Sequence, residues 1–188
     1  MNIVNISYHS TDYYTIEIKG GRLLIDCGWP GTFPQFRAEF KRKGISPSEV
    51  KYILVTHFHL DHAALAQDFK NLRAKLILLE SQVDFIEPMA QMIKAKNIPY
   101  NDIQQKDNLI LKFNESRKFL AELGVAGEII STPGHSDDSI TLILDEGFAF
   151  TGDLPPRFAI SEEDQVTKES WDKIYQHKIT KIFPAHGN

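Results

Sequence analysis

Residues 52–56 read as a buried strand, and Thr56-His57-Phe58-His59-Leu60-Asp61-His62 runs on directly from it. No other stretch constrains the chain so strongly. Side chains alternate along an extended segment, so His57 and His59 point to one side. Asp61 and His62 fall where a helix is expected to begin, and they turn back toward the same place. Imidazole and carboxylate are the side chains that zinc, iron and manganese accept, and four of them stand within six residues. A histidine-rich surface loop is the bland alternative, and the buried character of 52–56 argues against it.

Four groups so close together cannot surround a metal alone. Three further strand ends each offer one more ligand type beside a glycine: His135 in Thr132-Pro133-Gly134-His135-Ser136, Asp153 in Thr151-Gly152-Asp153, and His186 in Pro184-Ala185-His186-Gly187. Each is weak by itself, since an aspartate at a strand end is often a turn residue and a lone histidine often structural. Their shared placement is what counts, because loops at strand ends are where folds carry their sites.

The rest of the pattern alternates strands and helices. Strands are expected over 3–7, 13–19 and 22–26, with a turn at Gly20-Gly21, then over 75–79, 128–131, 139–144, 148–151 and 181–183. Phe33, Phe36 and Phe40 mark one face of a helix that Gly44 ends, and Ser46-Pro47-Ser48-Glu49 reads as a capping box opening a short helix. Further helices are expected over 61–70, 81–96, 114–124 and 169–176. Helices covering a mixed sheet or pair of sheets follow, in one domain over residues 1–188.

Charge narrows the partners. Lysine and arginine total 21 against 25 aspartates and glutamates, a net charge of −4 that offers no field for a phosphate backbone, so nucleic acid is disfavoured. No apolar run approaches the ~20 residues of a membrane span, and no basic segment followed by an apolar run opens the chain. A cytoplasmic protein acting on a small molecule is expected, with oligomeric state left open. Cys27 is expected to be a small buried residue rather than a nucleophile. Asp26 reads equally as a turn residue or as support for a ligand from behind, and Thr56 equally as an ordinary strand end or as such a support.

With these residues in place, the chain resembles the metallo-β-lactamase-fold hydrolases. The motif His-x-His-x-Asp-His is complete as His57, His59, Asp61 and His62, and His135, Asp153 and His186 match the family's later ligands. The resemblance implies an α/β fold of the four-layer αββα type with the site along one edge of two sheets. It implies one metal held by His57, His59 and His135, a second by Asp61, His62 and His186, and Asp153 bridging both. Zinc is the expected metal, with iron or manganese as alternatives, since no thiolate belongs to the set.

Departures from the family's branches matter as well. No cysteine occupies a ligand position, so β-lactamase activity is not expected. His59 stands where the flavin-linked diiron reductases carry glutamate. The chain ends two residues after His186, which leaves no glutathione-binding helical region of the kind the hydroxyacylglutathione hydrolases have. The implied activity is hydrolysis of a small ester, thioester or lactone by a metal-held hydroxide, with Asp61 passing a proton to the leaving group. A mononuclear iron persulfide dioxygenase and a phosphodiesterase are the rival enzymes, and a non-catalytic metal-binding module is the rival of another kind. Trp29, Pro30 and Phe33, together with Met89, Met92, Ile93, Tyr100 and Ile103 in segment 85–119, are expected to roof the site, and Phe58 to wall it. Methionines at helical spacing suit a core as well, and truncating them separates the two readings.

Overall fold

The computed structural model describes residues 2–187. β1 (Ile3–Asn5) pairs antiparallel with β2 (Tyr14–Ile18), and β2 with β3 (Gly21–Ile25). Parallel neighbours need long crossovers, which the helices supply. Thus α1 (Phe33–Arg42) leads to β4 (Val50–Leu54), α2 (Leu60–Ala63) and α3 (Ala66–Asn71) to β5 (Lys75–Leu79), and α4 (Ile86–Ala95) to β6 (Leu109–Leu111). The six strands lie in chain order. A four-stranded sheet follows α5 (Ser116–Glu122): β7 (Gly127–Ser131), β8 (Ile140–Leu144) and β9 (Phe148–Gly152) run antiparallel to one another. Then α6 (Gln165–Tyr175) returns the chain to β10 (Lys181–Pro184), parallel to β9 at the sheet edge.

Period-two patterning decides the layers. Leu23 and Ile25 face the second sheet, whose Ile140, Leu142 and Leu144 face back. Leu24, between them in sequence, points outward to Phe36, Phe40, Phe69, Met89 and Ile93 on the helices. Ile143 points outward from the second sheet to Trp171 and Ile174 of α6. Helices, sheet, sheet and helix make the expected αββα sandwich. Burying each such side chain is worth about 1.5–3 kcal/mol, against under about 1 kcal/mol per residue for helix propensity, so the sandwich fixes where the strands end.

Several elements differ from the sequence reading, each for a local reason. The helix expected over 61–70 breaks into α2 and α3, because the His62 carbonyl accepts from the Cys27 N–H at 2.6 Å and is not free to continue the helix. The Ser46 capping box forms, with Ser46 N–H donating to Glu49 at 2.6 Å, but it closes only the 3-10 turn Pro47–Glu49 before β4 begins. The last helix starts at Gln165 rather than 169, capped by Asp164 accepting from Thr167 N–H at 3.0 Å. Strand β6 has no counterpart in the sequence reading. It is three residues long, and its central Ile110 is 61% exposed, so it shows no alternation to detect.

Candidate metal centre

β4 ends at Leu54, the backbone bends at Thr56 and His57 rather than running on extended, and His59 precedes the first turn of α2. The sandwich edge therefore receives His57 and His59 from the bent segment after β4 and Asp61 and His62 from a helix. His135 comes from the β7–β8 loop, Asp153 from the end of β9 and His186 from the end of β10. Gly152 makes the approach of Asp153 feasible. Its φ is +56°, and a Cβ there would stand 2.5 Å from Thr56 Oγ1.

The seven side chains form two clusters, His57 with His59 and His135, and Asp61 with His62, Asp153 and His186, the donor atoms within each lying inside 4.8 Å of one another. His59 Nδ1 is 3.0 Å from His57 Nε2 and 2.9 Å from His135 Nε2. Asp61 Oδ2 is 3.4 Å from His62 Nε2 and 3.3 Å from His186 Nε2. Asp153 Oδ2 reaches into both clusters, at 3.3 Å from His62 Nε2, 3.5 Å from His135 Nε2 and 3.9 Å from His57 Nε2.

The groups behind these atoms aim them. Asp26, buried past the end of β3, accepts from Thr56 N–H at 2.7 Å and holds His62 Nδ1 at 2.9 Å. Thr56 Oγ1 lies 3.2 Å from His57 Nδ1, and the Ser10 carbonyl accepts from His186 Nδ1 at 2.6 Å. Three imidazoles thus present Nε2 inward because Nδ1 is occupied, the arrangement that fixes tautomer and direction in metal sites. Asp26 and Thr56 are therefore supports, closing both open readings. Asp138 was not found from sequence. Its carboxylate accepts from Phe58 N–H and from Ser136 Oγ, both at 2.7 Å, tying the His57–His59 turn to the turn bearing His135. Gln82 adds bonds to the carbonyls of Val55 at 2.9 Å and Asp138 at 3.2 Å. Asp138 is 80 residues from Phe58, and Gln82 is 27 from Val55 and 56 from Asp138, so no local spacing signals these bonds.

Protonation follows from this packing. Burial, then the neighbouring His62, His59, His135 and His186, pushes His57 well below the ordinary histidine range. Burial likewise lowers His135. Burial would lower His62 too, but the Asp26 charge and bonds to Asp153, Asp26 and Asp61 outweigh it and raise this histidine well above its usual value. Burial opposes ionisation of Asp61, and the His62 hydrogen bond and charge overcome it, holding the carboxyl at about 2. Asp153 is lowered against burial in the same way.

A divalent cation fits this donor set. His62 Nε2 and Asp153 Oδ1 are buried without a well-aligned hydrogen bond and meet only the other donors of their cluster at 3.3–3.4 Å, an arrangement that a cation between them completes. Neutral imidazoles with ionised carboxylates are the ligands zinc, iron and manganese take.

Other expectations fail. Phe58 is buried in the core beneath the helices, not on a cavity wall, and Met89 is 2% exposed in the same core. Met92 is 49% exposed on the solvent side of α4. Phe33 and Tyr100 line a cavity of about 320 Å³ that contains none of the seven donors. The cavity that does open on the centre, about 590 Å³, lies between α6 and β9–β10 and includes His135, Asp153 and His186. Cys27 is buried, as expected, and burial raises its thiol further from reactivity.

An αββα sandwich carrying two facing imidazole–carboxylate clusters at one sheet edge is a metal-binding architecture. The sequence model of the metallo-beta-lactamase superfamily matches residues 8–186, and the chain belongs to that superfamily. It is 28% identical over 198 residues to a probable metallo-hydrolase, MJ0888, of Methanocaldococcus jannaschii, covering 96% of this chain and 88% of the relative. It is 26% identical over 183 residues to a beta-lactamase-like protein 2 homolog of Caenorhabditis elegans, where 94% of this chain spans only 56% of the relative's length. The crystal structure of TTHA1623 in a di-iron-bound form has the same fold, with a TM-score of 0.73 at 21% identity over 100% of this chain and 93% of that one. Among the described residues, no helix is long and apolar enough to cross a membrane.

Proposed function

We propose that the chain is a dinuclear hydrolase of a small ester, thioester or lactone, with His57, His59 and His135 holding one metal, Asp61, His62 and His186 the other, and Asp153 shared. The observation that carries this reading is Asp153, whose Oδ2 lies within 3.9 Å of histidines from both clusters. Divalent ions so placed supply a water acidified toward neutrality and polarise the substrate carbonyl. Zinc is the metal proposed, because the donors are nitrogen and oxygen with no thiolate.

Asp61 is the catalytic residue of the chain in this reading. Its carboxyl, held at about 2, is ionised at neutral pH, so it begins as a base. It takes up a proton of the attacking water and returns it to the leaving oxygen or sulfur as the bond from the carbonyl carbon to that atom breaks. The Thr11 hydroxyl, donating to Asp61 Oδ2 at 3.3 Å, and the Tyr13 hydroxyl, donating to the Asp61 carbonyl at 3.0 Å, keep it in place. No serine or cysteine is needed as a nucleophile.

The test is elemental analysis of protein purified without added metal, with a screen of ester, thioester, lactone and phosphodiester substrates. Two metals per chain with carbonyl-ester hydrolysis are expected, and His62→Ala should leave one metal and remove most activity. A single-iron protein that consumes oxygen with a persulfide would overturn the reading.

A further inference from the structure

The 590 Å³ cavity beside the metal centre is built on side chains that the hydrolytic chemistry does not use. Leu154, Pro156, Trp171, Tyr175 and Ile182 wall it. It is formed in advance, since Trp171 Nε1–H donates to the Pro155 carbonyl at 2.8 Å and pins the loop after β9 to α6. Its volume is that of a small-ligand site, and apolar walls with few polar groups are what such sites have.

Two features point to an occupant. Phe148 and Phe150 of β9 face the inter-sheet core and Ala149 faces out, so alternation turns Thr151 outward as well. Thr151 lines the cavity and is 1% exposed, yet its buried Oγ1 has no hydrogen-bond partner. A buried hydroxyl left so carries an uncompensated desolvation penalty, which an oxygen of an occupant reaching it recovers. At the mouth, Phe158 on the 3-10 turn Arg157–Ala159 is 93% exposed, beside half-exposed Tyr175. Single exposed apolar rings are ordinary on a surface, but here the ring flanks an apolar cavity that leads to the metal ligands.

Charge defines what enters. Arg157 is the wall's one lysine or arginine among the described residues, and it is already engaged, 3.5 Å from Asp172 and 5.5 Å above the Tyr175 ring. Away from the metal ligands, therefore, the walls offer an anionic group no free lysine or arginine, and Asp153 at the inner end belongs to the metal ligands rather than to the wall.

We infer that this cavity receives the uncharged acyl or aryl group of the substrate, with Thr151 bonding an oxygen near the reacting carbonyl and Phe158 covering the apolar portion. This rests on the hydrolase reading above. It moves substrate selection from the α4 side of the molecule to the α6 side.

The experiment compares kcat/KM for p-nitrophenyl octanoate and p-nitrophenyl acetate. The octanoate should be preferred, and Phe158→Ala should cut the octanoate-to-acetate ratio about tenfold, the scale at which apolar pockets discriminate. Thr151→Val, equal in shape, should raise KM with little change in kcat. Met92→Ala, on the far side, should leave the ratio where it was. An unmoved ratio in Phe158→Ala with ester hydrolysis intact overturns the cavity assignment and leaves the hydrolase reading standing. If neither ester is hydrolysed, calorimetric titration with octanamide decides. Binding that weakens about tenfold in Phe158→Ala supports the cavity although the hydrolase reading has failed, and absent or unaltered binding overturns it.

Discussion

At the scale of single residues, Asp26 connects the centre to the fold. One carboxylate accepts from the Thr56 amide, accepts from the Thr56 hydroxyl at 2.8–3.0 Å and aims His62. Its charge also raises the His62 pKa, whereas His57 is held neutral by burial and by its histidine neighbours. A metal takes only neutral imidazole, so loading must expel the His62 proton and nothing from His57. Calorimetry at pH 7 in buffers of different ionisation heat should therefore report net proton release that includes the His62 proton, beside any from metal-acidified water, and affinity should rise with pH. Asp26→Asn removes the charge while keeping the shape. Release should fall, and affinity at the Asp61–His62–His186 half should weaken about 10–100-fold while the three-histidine half is kept. Release unchanged in Asp26→Asn would show that Asp26 does not hold the His62 proton.

At the scale of elements, the apolar face of a helix decides what its residues do. Met89 points from α4 into the core with Phe36, Phe69 and Leu76, and Met92, three residues on, points to solvent. Met89→Ala should cost about 2–5 kcal/mol in chemical denaturation, and Met92→Ala no more than about 0.5 kcal/mol. A stability loss at Met92 equal to that at Met89 would contradict the packing. The same pair shows what sequence could and could not reveal. Methionines at positions 89 and 92 announce an amphipathic helix, but a helical period alone does not say whether its apolar face meets a core or a ligand. The mix of helices and sheet was legible in the alternating segments, but the four-layer order came from the resemblance, because the apolar run Leu23-Leu24-Ile25 does not say which side chain takes which face. The grouping of the seven donors was legible because four stand close together after one strand and three more follow later strands singly. Asp138, Gln82 and the cavity under Phe158 were not, since each exists only where segments far apart in the chain come together.

At the scale of the whole molecule, the centre joins the two sheets. His57 and His59 extend from the first sheet, and His135, Asp153 and His186 belong to the second. Bound metal would cross-link the sandwich along that edge, yet metal is not alone in doing so. The Ile140 amide donates to the Thr56 carbonyl at 2.9 Å, the Tyr14 hydroxyl donates to the Pro184 carbonyl at 2.9 Å, and the inter-sheet core lies directly beneath. The metal-free protein should therefore stay folded. A ligand that binds only the native state at about 100 times its Kd adds about 2.7 kcal/mol. For a chain of this length each kcal/mol moves Tm by about 2–4 °C, so a chelator should lower Tm by about 5–10 °C and leave far-UV circular dichroism unchanged. Collapse of the dichroism on chelation would mean that the metals, rather than the packed sheets, hold this edge closed.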